Sequence, residues 1–144
     1  MSAVAAEAAR PTDLDRECAV ERFVAFLETG CAGPELFTDD VFCDFTMPQW
    51  RLQAHGRDDM VALRRQGHPG PGQVVRHAMH ATPSGFVLEL EERWSDAQDD
   101  WYCRECFRAT LERGRIAELA VYCTGDWSTR RRQEHAKAVQ LLRP

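Results

Sequence analysis

Residues 101–123 read WYCRECFRATLERGRIAELAVYC. Two runs of alternating apolar residues flank Glu112-Arg113-Gly114-Arg115, where Gly114 can supply the left-handed backbone of a tight hairpin turn. The alternation predicts strands over 101–111 and 116–123. In the first run Trp101, Cys103, Phe107, Ala109 and Leu111 share one face, and Glu105 belongs to it. In the second, the apolar set is Ala117, Leu119, Val121 and Cys123. A three-residue loop at Gly114 puts both sets on one side of the sheet. A two-residue turn slips the register by one and turns Arg104, Cys106 and Arg108 inward instead. The apolar pattern favours the first, and the register at Gly114 stays open.

The flanking sequence extends the same texture. QVVRHAMHAT (73–82) and FVLELEERW (86–94) read as two more strands about a Pro83-Ser84-Gly85 turn. On the second of these, Phe86, Leu88, Leu90 and Trp94 share a face that includes Glu92. Nearer the N-terminus, Thr12 and Asp15 form a capping-box pattern. Val20, Phe23, Val24 and Leu27 follow at helical spacing, and Gly30 suits the helix stop. Pro34 to Phe37 reads as a short helical turn. FTDDVFCDFTMP (37–48) then gives a strand over 41–46 with Asp44 inside an apolar run, and Met47 to Arg51 breaks it. A helix is expected from Gly56-Arg57-Asp58-Asp59 to Arg65, loop over Gly67 to Gly72, and a closing helix over 128–142. This order predicts one α+β domain over 12–144, with helices packed on one face of a curved antiparallel sheet, and a disordered tail over 1–11.

Composition narrows the function. The 144 residues carry a formal charge of -5, which argues against a nucleic-acid partner held by phosphate attraction. Arg130, Arg131 and Arg132 read as a solvated helix face. No apolar run approaches the roughly 18 residues a membrane span needs. MSAVAAEAAR has no basic start and no long apolar core, so the expected location is cytoplasmic, with reduced thiols. Cys103 and Cys106 form a CxxC, but positions three apart on a strand point to opposite faces, so no metal site is expected there.

The candidate chemistry lies on the inward face. Trp94, Trp101, Cys103, Phe107, Leu119 and Val121 would wall an apolar pocket holding Glu92 and Glu105, with Trp50 at its mouth. A carboxylate taken out of water must find a partner or raise its pKa, and a raised one is a general acid or base near neutrality. Structural roles are open beside the catalytic ones. Asp44 could accept backbone hydrogen bonds at a strand end, Glu92 could pair with Arg76 across the first hairpin, and Glu105 could bridge to an arginine. His55 and His68, in loops, carry no readable signal.

The FTDDVFCD segment, the HGRDDMVAL helix entry and the LERGRIAELAVYCTGDW hairpin resemble the nuclear transport factor 2-like superfamily, in particular its SnoaL-like branch, over about residues 15–140. The resemblance implies a cone-shaped barrel, often dimeric through the outer sheet face. It also implies acid–base chemistry on a small apolar or polyketide-like substrate without metal or organic cofactor, of cyclase, isomerase, dehydratase or hydrolase type. The alternative on this fold is a binding module without chemistry. Asp44 falls where ketosteroid isomerases place their general base. Their helix-one tyrosine corresponds to Phe23, and their assisting carboxylic acid, counted ungapped from Gly114, corresponds to Cys106. Neither residue is an adequate donor, so the resemblance does not extend to steroid isomerisation. The expected catalytic residues are therefore Asp44 and Glu105.

Overall fold

The computed structural model describes residues 9–144; the expected tail over 1–11 falls mostly outside them. The elements run α1 (Asp13–Thr29), β1 (Phe37–Thr46), β2 (Arg51–His55), α2 (Arg57–Gly67), β3 (Gly72–Thr82), β4 (Gly85–Ser95), β5 (Asp100–Glu112), β6 (Arg115–Cys123) and α3 (Thr129–Ala138). The six strands form one open sheet in the order β2-β1-β6-β5-β4-β3. Five elements follow the expected pattern closely. The sheet is mixed rather than wholly antiparallel, because β1 lies parallel to β6.

The first helix forms for local reasons. Thr12 and Asp15 close a reciprocal capping box, and Gly30 ends the helix in the left-handed region at φ 73°. Its buried stripe, Ala19, Val20, Phe23, Phe26 and Leu27, follows helical spacing and lies on the sheet. Phe23 meets Phe107 edge-on at 4.9 Å, so α1 and β5 share the centre of the core. Buried Arg16 pins the far end of α1, donating to the carbonyls of Gly85 (2.7 Å) and Thr82 (2.8 Å) at the β3–β4 turn.

Three expectations differ from the structure. Residues 34–36 make a turn without a helix, and β1 begins at Phe37. The stretch after Trp50 is a strand, β2, paired antiparallel with β1. Only Ala54 of β2 is buried, so this edge strand carries no alternation to read. The closing helix ends at Ala138, short of 142, and buries none of its residues.

The hairpin register resolves in an unexpected way. Glu112 pairs with Arg115, so the turn has two residues, Arg113 and Gly114, both with positive φ (53° and 79°). That turn alone would slip the register. A bulge between Thr110 and Leu111 restores it. Cys103, Glu105, Phe107, Ala109 and Leu111 consequently face inward with Leu119 and Val121, and Ile116 joins the core. Cys106, the ungapped counterpart of the isomerase acid, stands opposite Glu89 and Tyr122 on the outer face.

The β3–β4 turn offers a test of this packing. A Cβ on Gly85 would lie 2.0 Å from the Ala109 carbonyl oxygen, and backbone cannot yield as a side chain can. Gly85→Ala is expected to lower the unfolding free energy by about 3 kcal/mol, read as a lower denaturant midpoint at unchanged slope.

Candidate active site

Two elements bring the site together. At the end of α2, Arg64 and His68 stand four residues apart on one helix face, and the His68 N–H closes the helix on the Arg64 carbonyl at 2.9 Å. Beneath them lies the inward lattice of the sheet. Glu92 is directly opposite Cys103, Trp94 is opposite Trp101, and Glu105 is opposite Cys123. Glu92 and Glu105 are therefore diagonal neighbours on adjacent strands, both buried.

Arg64 governs this lattice. Its Nη1 donates to Glu92 Oε2 at 3.1 Å, and its Nη2 donates to Glu92 Oε1 and to the Leu27 carbonyl, the latter at 2.8 Å. Cys103 Sγ donates to Glu105 Oε1 at 3.2 Å. His68 lies between two carboxyls: Nδ1 is 4.0 Å from Glu92 Oε2, and Nε2 is 3.7 Å from Asp126 Oδ1. Its ring stacks on Trp94 at 5.0 Å, and Trp94 in turn stacks on Trp101 at 5.9 Å. The Trp94 indole N–H donates to the same Asp126 Oδ1 at 3.0 Å.

One buried guanidinium faces two buried carboxyls, and the pair splits. Burial alone would raise both. For Glu92 the hydrogen bond from Glu105 and the charge and hydrogen bonds of Arg64 outweigh burial and hold it below the ordinary value. For Glu105 burial, the hydrogen bond to Glu92 and the charge on Glu92 all act together and push it well above. Of the two, Glu105 is thus the carboxyl that favours its proton. Burial and the Arg64 charge push His68 down, so its ring is neutral at pH 7. Cys103 is pushed up by its hydrogen bond to Cys123 and by burial, and Cys123 is lowered by the same bond.

A cavity of about 50 Å³ opens beside this cluster. Phe23, Phe26, Leu27, Phe45, Phe107 and Val121 form its apolar wall, and Arg64, His68 and Glu105 its polar end. Phe45, Gly67 and His68 also border an outer basin of about 230 Å³, rimmed by Trp50, Cys123 and Asp126. His68 thus stands between the two spaces.

Several expected residues meet here: Glu92, Trp94, Cys103 and Glu105 form the network, with Trp101 stacked behind. Phe107 and Val121 line the cavity, and Leu119 lies in the core beneath. Trp50 is 65% exposed on the basin rim. Glu92 pairs with Arg64 and not with Arg76, because β4 places Glu92 inward while Arg76 stands opposite Glu91. Asp44 is placed elsewhere. Cys43 and Phe45 face the cavity, so Asp44 between them points to the outer face. There Arg51 grips it with two hydrogen bonds of 2.9 and 2.6 Å, which keep its carboxyl below the ordinary value. Sequence reading missed Arg64, His68, Cys123 and Asp126. The spacing of Arg64 and His68 along α2 was the one available signal.

No family model matches this sequence, and no curated protein matches it. Solved structures do. An NTF2-like protein from Anabaena variabilis ATCC 29413 is 14% identical, superposes with a TM-score of 0.65, and the match covers 81% of this chain and 95% of that one. An LEH-like epoxide hydrolase from M. tuberculosis is 16% identical over 78% of this chain and 85% of its own, with a TM-score of 0.58. A phenazine biosynthesis-related protein from Pseudomonas aeruginosa is 15% identical over 91% and 92%, with a TM-score of 0.56. The chain has the NTF2-like fold. In this NTF2-like cone the carboxyl pair sits between the helical layer and the sheet, where apolar walls surround it. Among the described residues no helix is long and apolar enough to cross a membrane.

His68, Glu92, Cys103 and Glu105 also offer ligand atoms within 4.8 Å of one another. Arg64 already occupies both oxygens of Glu92, and the Cys103 thiol is pushed up, so the set is arranged to share protons. A cation would have to displace the guanidinium.

The protonated state of Glu105 has a measurable consequence. Its folded pKa lies above the glutamate value of 4.5. The stability it confers is complete below that value and is lost as pH rises through the folded pKa. Glu105→Gln, neutral at every pH, should remove this loss. The variant should differ least from the native protein at pH 4, gain on it as pH rises from 4.5 to the folded pKa and gain no more above that, measured by urea titration at each pH. A constant difference between the two proteins across that range would show that the folded pKa of Glu105 is not raised.

Proposed function

We propose that this chain is a small-molecule enzyme that works by acid–base chemistry, with Glu105 as the proton donor. One observation carries the reading: a buried carboxyl, Glu105, lines an apolar cavity beside a second carboxyl that already holds the one buried guanidinium. A neutral carboxylic acid in such a place can protonate an oxygen on which negative charge develops, as in epoxide opening, enolisation or loss of a hydroxyl. Burial and Glu92 raise the proton affinity of Glu105, and the Cys103 thiol holds it with a hydrogen bond of 3.2 Å. The epoxide hydrolase name carried by one fold neighbour belongs to the same class of chemistry.

The space bounds the substrate. A cavity of about 50 Å³ admits a few heavy atoms, so an apolar substrate would insert its oxygen-bearing end and leave its body in the outer basin of about 230 Å³. The chemistry is hydrolytic or isomerising, and the residues present can carry it without a metal or organic cofactor.

The second reading, a binding module, is favoured by two specific observations. Trp94 and Trp101 stack to fill the space beside the carboxyls, and Asp44 faces away from the cavity. A panel of small epoxides and cyclic ketones separates the two readings, scored by diol formation and by exchange of α-protons into D2O. The enzyme should accelerate at least one of these reactions, and Glu105→Gln should reduce kcat by about 10²–10⁴-fold while the protein stays folded. Rates equal to buffer across the panel would favour the binding module.

A further inference from the structure

Acid catalysis by Glu105 is completed by a group that takes a proton from the substrate or from water. Resting on the reading of Glu105 as the donor, we infer that His68 is the general base of this site and that Asp126 positions it.

The cavity lining decides by elimination. Its titratable members are Cys43, Arg64, His68 and Glu105. Arg64 is a cation with no lone pair to offer. Glu105 already carries a proton. Burial pushes the Cys43 thiol up to about 12, so it stays protonated. Glu92, the ionised carboxylate, does not line the cavity, and Arg64 holds both its oxygens. His68 is the one lining group with a free pair of electrons at neutral pH.

The ring is also oriented for the task. Nε2 faces Asp126 Oδ1 at 3.7 Å and Nδ1 faces Glu92 Oε2 at 4.0 Å; Arg64 already occupies both Glu92 oxygens and Asp126 is the nearer acceptor, which favours the tautomer with the proton on Nε2. Asp126 is itself fixed by the Trp94 indole at 3.0 Å, and the Trp94 ring supports the imidazole face to face. Nδ1 is then left unprotonated on the side of the carboxyl pair, buried and without a hydrogen-bond partner among the described residues. A buried nitrogen is seldom left so. Its partner in this reading is the proton it abstracts.

For an epoxide the step balances without other reagents. A water gives its proton to Nδ1 as its oxygen bonds to the ring carbon. The carbon–oxygen bond breaks, and the ring oxygen takes the Glu105 proton. The products are a diol, an imidazolium and a carboxylate. The imidazolium then returns its proton to Glu105 through water, which resets both. For a ketone, Nδ1 takes the α-proton and Glu105 protonates the enolate oxygen.

The charged and titratable groups near the ring come from every neighbouring element: Arg64 on α2, Glu92 on β4, Glu105 and Cys103 on β5, Cys123 on β6, and Asp126 beyond it. Burial and Arg64 favour the neutral ring, whereas Glu92 and Asp126 oppose them. The acid limb of kcat/KM should therefore fall below pH 6.5, with activity rising as the ring loses its proton. Asp126→Asn should move that limb to lower pH, because a charge favouring imidazolium is gone. His68→Gln should lower kcat by about 10²–10⁴-fold and abolish the limb.

A substrate-free measurement judges the assignment independently. Two-dimensional NMR of 15N-histidine-labelled protein at pH 7 should show His68 neutral, with its proton on Nε2. In Asp126→Asn that preference should weaken. A cationic ring, a proton on Nδ1, or an Asp126→Asn spectrum unchanged in tautomer and titration would overturn the base assignment, whatever the panel shows. Loss of the Glu105 proton would appear separately in the 13C carboxyl signal. It would overturn the donor reading while leaving the His68 result legible.

Discussion

The grip of Arg64 on Glu92 is the interaction on which the interior depends. It joins three layers at once: α2 provides the guanidinium, β4 the carboxylate, and α1 the Leu27 carbonyl that takes the remaining hydrogen bond. A charge buried this deeply is tolerated only when paired and fully hydrogen-bonded, and removing one partner of such a pair typically costs about 3–5 kcal/mol. The pair also fixes the state of its neighbour. With one cation already satisfied by one carboxylate, a second carboxyl beside them has no charge to meet, and it keeps its proton. The raised pKa of Glu105 follows from burial together with the stoichiometry of the cluster.

Much of the fold was legible because its elements are long and regular. Strands β4 and β5 alternate cleanly, and α1 carries a capping box, an apolar stripe and a terminal glycine. The losses have physical causes. The strand β2 lies at an edge with one buried residue, so no periodic signal exists. The hairpin at Gly114 combined a two-residue turn with a bulge, and each alone would have shifted the register by one. Alternation read the correct inward face for Glu105 because the buried set dictates the register, and the turn and bulge accommodate it.

The site was legible on the sheet and illegible on the helix. Glu92, Cys103 and Glu105 betrayed themselves by sharing parity with large apolar residues. Arg64 and His68 did not, since a polar residue at a helix end reads as solvated until the opposing layer is known. Asp126 lies in a loop whose path the sequence leaves open. Asp44 illustrates the limit of resemblance. The resemblance placed a general base at this position, yet β1 alternates, Cys43 and Phe45 take the inner face, and the residue between them has nowhere to go but out.

The dimensions of the cavity bear on what this arrangement can do. About 50 Å³ is far below the 300–1,000 Å³ of typical small-molecule sites. A hollow so small excludes bulk water, and exclusion strengthens every polar contact in it by lowering the local dielectric. It also means that few substrate atoms touch the catalytic groups, so binding energy must come from the outer basin, where Trp50, Met47 and Pro48 offer apolar surface. His68 forms the wall between basin and hollow. A ring in that place meets the substrate as it enters, and its own stacking on Trp94 decides how far the wall can give. Reactivity and access are then governed by one side chain, and enlarging the basin should broaden the choice of substrate body without disturbing the proton chemistry behind the ring.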